Sequence, residues 1–117
     1  MEFKSVNPFN GKEIASHKEH SNEELKLILD NAGEAFKSWK KVSVTERADL
    51  LKKAGQVLRD NTEEYARMIT LEMGKPITES RAEINKCAWV CDYYADNAVE
   101  FLKDEISLEE YMENFYY

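Results

Sequence analysis

The stretch Ile69-Thr70-Leu71-Glu72-Met73-Gly74-Lys75-Pro76 puts a corner into this chain. Apolar residues at helical spacing run into Gly74, and Pro76 follows two residues later. Glycine reaches the left-handed conformation that closes a helix at no steric cost. Proline fits the start of the next helix, where its missing N–H is not needed. One helix therefore stops at about Met73 and another begins at about Pro76. Elsewhere breakers are scarce: 117 residues hold four glycines and two prolines, which favours long helices over a many-turned β fold.

Before the corner, Phe3-Lys4-Ser5-Val6 and Glu13-Ile14-Ala15-Ser16 flank Asn7-Pro8-Phe9-Asn10-Gly11. Asn-Pro and Asn-Gly both favour turns, so the spacing predicts a β-hairpin over residues 3–17. A lone hairpin is marginal in water and must pack on something. Ser21-Asn22-Glu23-Glu24 and Ser43-Val44-Thr45-Glu46 are capping boxes, each opening a helix. The first helix places Leu25, Ile28, Leu29, Ala32, Phe36 and Trp39 on one stripe. The second turns Ala48, Leu51, Ala54, Val57 and Leu58 inward. Asn61-Thr62-Glu63-Glu64 restarts the chain, with Tyr65, Met68, Ile69 and Met73 after it. In the longest helix Ile77, Ile84, Cys91 and Ala98 recur every seven residues, beside a second seam of Arg81, Ala88, Ala95 and Leu102. The fold class is mainly α, with four helices at about 22–40, 44–60, 62–73 and 76–103 and a short N-terminal hairpin.

Charge narrows the function classes. A net charge of −7 repels a phosphate backbone and an anionic membrane surface, so no nucleic-acid and no membrane partner is expected. No apolar run approaches the roughly 20 residues of a membrane span. The N-terminus lacks the apolar core of a signal peptide, and the default location is cytoplasmic.

Candidate chemistry is thin. Cys87 and Cys91 stand one helical turn apart. Half of a metal site or a redox pair is one reading, but two further ligands are missing nearby and an i,i+4 disulfide is geometrically poor. Small buried hydrophobes are the favoured reading. His17 and His20 lie in a Ser/Lys/Glu/His-rich connection and read as exposed loop residues. Glu72, with Glu79-Ser80-Arg81 beyond the corner, offers an anion or partner site, against the simpler reading of helix-surface ion pairs. Glu23, Glu24, Glu63, Glu64, Lys52 and Lys53 read as solvated faces, and Trp39, Trp89, Tyr93 and Tyr94 as packing residues. No G-x-G-x-x-G, P-loop or nucleophile elbow is present.

Five separated pieces, in order, resemble the N-terminal region of the aldehyde dehydrogenase superfamily. They are Val6-Asn7-Pro8-Phe9-Asn10-Gly11-Lys12-Glu13-Ile14, Ala35-Phe36-Lys37-Ser38-Trp39, Glu46-Arg47-Ala48-Asp49-Leu50-Leu51, the corner with Glu79-Ser80-Arg81-Ala82-Glu83, and Tyr93-Tyr94-Ala95. The likeness runs from about Phe3 to about Glu105 and is greatest to the succinate-semialdehyde dehydrogenase branch. It implies the outer helices and hairpin of an α/β cofactor-binding domain, and a family activity that oxidises an aldehyde to an acid with NAD or NADP. That chemistry runs through a cysteine thiolate, an oxyanion donor and a general-base glutamate. None of the family's catalytic or cofactor motifs has a counterpart here. Cys87 and Cys91 do not inherit the nucleophile's role. Lys75-Pro76, followed by Ile77-Thr78, is not the cofactor lysine motif, and Asn114-Phe115 lacks the residues that flank the oxyanion asparagine.

The expectation is therefore a partial cofactor-binding domain over 1–105 with a divergent acidic, aromatic tail over 106–117, read as a truncated or frame-disrupted product. No catalytic, cofactor-binding or metal-binding residue is assigned. The chain alone is expected to be inactive and to bind no cofactor. Its expected partners are a second copy or the remainder of the dehydrogenase. A small helical interaction module without enzymatic activity is the alternative.

Overall fold

The computed structural model describes residues 2–104. The elements follow in the order β1 (Glu2–Val6), β2 (Glu13–Lys18), α1 (Asn22–Trp39), α2 (Val44–Asp60), α3 (Thr62–Met73) and α4 (Ile77–Phe101). Both capping boxes form. Ser21 Oγ accepts the Glu24 N–H at 3.1 Å, and Glu24 Oε2 accepts the Ser21 N–H at 2.7 Å. Ser43 and Glu46 repeat the exchange at 3.2 and 3.1 Å. Asn61 makes no side-chain cap to α3; its amide instead donates back to the Val57 carbonyl at 2.8 Å. Gly74 closes α3 in the left-handed conformation, φ 72° and ψ 14°, with its N–H donated to the Thr70 carbonyl. Pro76 sits at the N-cap of α4, one position before the helix proper.

The hairpin pairs β1 and β2 antiparallel, with Phe3 opposite His17 and Ser5 opposite Ala15. Val6 then faces Glu13, so Ile14 is the extra residue of a bulge. The loop is longer than a two-residue Asn-Gly turn. Asn7 holds it, donating its N–H to the Lys12 carbonyl while its side-chain oxygen accepts the Phe9 N–H, both at 2.9 Å.

Packing centres on α4. Both α2 and α3 lie against it. The buried positions are Ala48 and Gly55 of α2, Ala66 of α3, and Ser80, Ile84, Ala88 and Ala95 of α4. Small residues set this contact. A Cβ at Gly55 would stand 3.1 Å from both the Ala88 carbonyl oxygen and Cys91 Cβ, so α2 and α4 touch nearly backbone to backbone there. Salt bridges strap the same helices: Lys52 with Asp96 at 2.6 Å, and Arg59 with Asp92.

Two inward assignments on α2, Ala54 and Val57, do not hold, since both are exposed, and other apolar stripes lie uncovered. No residue of α1 is buried, and Leu25, Ile28, Leu29, Phe36 and Trp39 are all exposed. The stripe is amphipathic as read, but no described element packs along it. Val57, Met68, Met73 and Leu102 are exposed too, because α2, α3 and α4 each use only part of their apolar face. The molecule is correspondingly open. Its radius of gyration is 21.4 Å, against roughly 13 Å for a compact domain of this length. The expected tail, 106–117, lies outside the described residues.

Candidate functional surfaces

The corner is the most fully built polar region. Glu72 accepts a hydrogen bond from Ser5 Oγ at 2.8 Å, tying β1 to the end of α3. Pro8 of the hairpin loop lies against Gly74, whose absent Cβ would come within 3.1 Å of Pro8 Cγ. Ser80 is fully buried; its hydroxyl lies 3.0 Å from Thr70 Oγ1 and donates to the Pro76 carbonyl at 3.3 Å. Arg81 reaches Glu63 through two guanidinium hydrogen bonds, at 2.7 and 2.8 Å. The Arg81 hydrogen bonds hold the Glu63 carboxyl below its ordinary value, and Glu63 in turn raises Arg81. Lys75 pairs with Glu83, whose hydrogen bond raises the ammonium. Lys75 and Arg81 are thus already matched. Of the two readings for Glu79-Ser80-Arg81, the ion-pair reading is the one the geometry carries.

The cysteines differ from each other. Cys91 is half-buried against Gly55. Cys87 is exposed, which corrects its reading as a buried hydrophobe. It borders an open hollow of 630 Å³ with Glu79, Lys86 and Val90, because position 87 lies just outside the seam that meets α2. Both thiols are free. His17 stands on β2 rather than in a loop, and His20 precedes α1 with its Nδ1 3.8 Å from a Glu24 oxygen. Among the described residues no three His, Cys, Asp or Glu side chains gather in a way that could hold a metal ion.

The remaining surfaces are apolar. The α1 stripe is one. A second is an aromatic row on α4, where Trp89 and Tyr93 stack at 5.7 Å and Tyr93 meets Tyr94 edge-on at 5.4 Å. These rings touch one another but are exposed, as is Trp39, so the reading of them as packing residues holds for ring-to-ring contact and not for burial. The third is a groove of 330 Å³ between the start of α2 and the end of α4, bordered by Val44, Arg47, Leu51, Tyr94, Ala98 and Phe101. Arg47 Nε is buried there without a hydrogen-bond acceptor among the described residues. Sequence reasoning passed over Arg47, since an arginine in the first turn of a helix reads as solvated. Only its place between Ser43 and Leu51, on the inward side, hinted otherwise.

A sequence profile described as the aldehyde dehydrogenase family matches residues 1–117. A probable succinate-semialdehyde dehydrogenase [NADP(+)] of Synechocystis is 38% identical over 115 residues, covering 98% of this chain and 25% of its own length. The succinate semialdehyde dehydrogenase [NAD(P)+] Sad of Escherichia coli is 38% identical over 106 residues, covering 91% of this chain and 23% of its own. The chain thus spans about a quarter of the length of the curated relatives it matches. Among solved structures, succinic semialdehyde dehydrogenase from Streptococcus pyogenes, in complex with NADP+, superposes with a TM-score of 0.80 at 31% identity. That match covers 86% of this chain and 22% of the other.

Proposed function

The chain belongs to the aldehyde dehydrogenase family, and on that premise we propose that it forms the outer helical part of an NAD(P)-dependent dehydrogenase acting on a small aldehyde such as succinate semialdehyde. The observation that carries the reading is the agreement of hairpin, corner and four helices with the N-terminal region of a succinic semialdehyde dehydrogenase. Bound nicotinamide dinucleotide supplies the hydride acceptor in that chemistry. The described residues of this chain do not fit that group. Its glycines stand far apart, and no glycine-rich turn opens a helix for a pyrophosphate. At the start of α4, Glu79 adds a negative charge and Lys75 is engaged by Glu83. The role left to this chain is architectural: it carries the hairpin and α4, and offers apolar faces to the remainder of the enzyme.

We therefore assign no catalytic, cofactor-binding or metal-binding residue to it, and no turnover of its own. The reading places it in the cytoplasm, with neither nucleic acid nor membrane as partner. A second reading, a helical interaction module, draws support from the uncovered α1 stripe. The test is spectrophotometric. The purified chain, given succinate semialdehyde with NAD+ or NADP+, is expected to produce no aldehyde-dependent rise at 340 nm. A rise proportional to chain concentration overturns the assignment.

A further inference from the structure

The groove between α2 and α4 combines an apolar trough with an unmatched cation. Arg47 is the one charged side chain among its lining residues. Among the described residues the Arg47 side chain makes no hydrogen bond or ion pair, and its Nε is buried. A guanidinium left unpaired beside apolar surface is costly, and a carboxylate is the partner that relieves it best. Carboxylates of the same two helices are engaged elsewhere: Glu46 with Ser43, Asp92 with Arg59, Asp96 with Lys52 and Glu100 with Lys103.

The apolar part is equally unfilled by the described residues. Tyr94 and Phe101, on its α4 wall, are each 54% exposed. The groove holds 330 Å³, at the small end of the ~300–1,000 Å³ typical of ligand clefts. From Tyr94 to Leu102 the α4 wall rises roughly 12 Å. One cation in a short apolar trough suits a slender ligand with a single anionic end. A dicarboxylate would leave its second charge on apolar surface, and an aliphatic ammonium would meet Arg47 as a like charge.

We propose that this groove binds a medium-chain aliphatic monocarboxylate, with the carboxylate on the Arg47 guanidinium and the alkyl chain along Leu51, Tyr94, Ala98 and Phe101. Decanoate matches the trough, since C–C bonds of about 1.5 Å give it an extended length near that of the wall. The site stands on the groove alone and holds whether or not the chain takes part in aldehyde oxidation.

Calorimetric titration of the full 117-residue chain with decanoate and with decanol tests this. Decanoate should bind one per chain and at least about tenfold more tightly than decanol, the factor a charge-assisted hydrogen bond supplies. Arg47→Gln should remove that preference. Ala98→Phe, which fills the trough and leaves Arg47 in place, should weaken both ligands by about tenfold or more. Decanoate carrying a terminal diazirine should, on illumination, label residues 44–51 and 94–102. Equal affinity of the unaltered chain for decanoate and decanol overturns the proposal, and that comparison needs no variant to fold. Label confined to the exposed stripe of α1 overturns it too. So does a chain that sediments as a dimer and takes label in neither segment, because a second copy then fills the groove.

Discussion

Gly74 shows how much one residue decides. Its φ of 72° is a conformation that a side chain takes up at a cost of about 1–2 kcal/mol. A Cβ there also meets Pro8 at 3.1 Å, so the same position sets both the end of α3 and the seat of the hairpin. We predict that Gly74→Ala lowers stability by about 1–2 kcal/mol, read as a fall in the urea midpoint at unchanged slope. In a Pro8→Ala background the loss should shrink, since the second contact is gone. Gly74 was legible in the sequence because a helix stop depends on local backbone geometry. Cys87 and Arg47 were not. Whether a thiol is exposed, or one guanidinium nitrogen buried, depends on which side of a helix meets its neighbour, and a shift of one position around the helix reverses the answer.

At the scale of elements, starts and stops were legible and coverage was not. Ser21 and Ser43 announce α1 and α2 because a capping box is closed within four residues. The apolar periodicity of α1 marks a face but says nothing of what lies against it, and none of its residues is buried by the described elements. The caps also make a pH prediction. Glu24 is held below its ordinary 4.5 by the Ser21 backbone N–H first, and Glu46 by the Ser43 hydroxyl first. A carboxyl depressed in the folded state adds stability above its unfolded value, and that stability is lost as pH falls through the folded value. Helicity at 222 nm should therefore weaken below about pH 4.5. Serine-to-alanine replacement at both caps should cost about 1 kcal/mol each near neutral pH. It should also flatten the acid limb of a stability titration, because the glutamates then lose the hydroxyl partners and hold less of their depression. An acid limb of unchanged slope in S21A/S43A contradicts this role for the caps.

The whole molecule is defined by what it leaves open. Its accessible surface is 9971 Å², against roughly 6,600 Å² for a folded monomer of this mass. The buried apolar residues are small, mostly alanine, whereas Leu25, Leu29, Phe36, Trp39, Trp89 and Phe101 face outward. Contiguous exposed apolar surface of this kind marks a face that another body covers. Under the proposed reading that body is the remainder of a dehydrogenase; the chain itself spans about a quarter of the length of the curated relatives it matches. The most direct test is the binding of an apolar fluorescent dye to the dilute chain, followed beside sedimentation across a concentration series. We predict strong dye binding at low concentration that falls as copies associate. A chain that stays monomeric, unfolds cooperatively and leaves the dye dark would contradict the uncovered faces on which this reading rests.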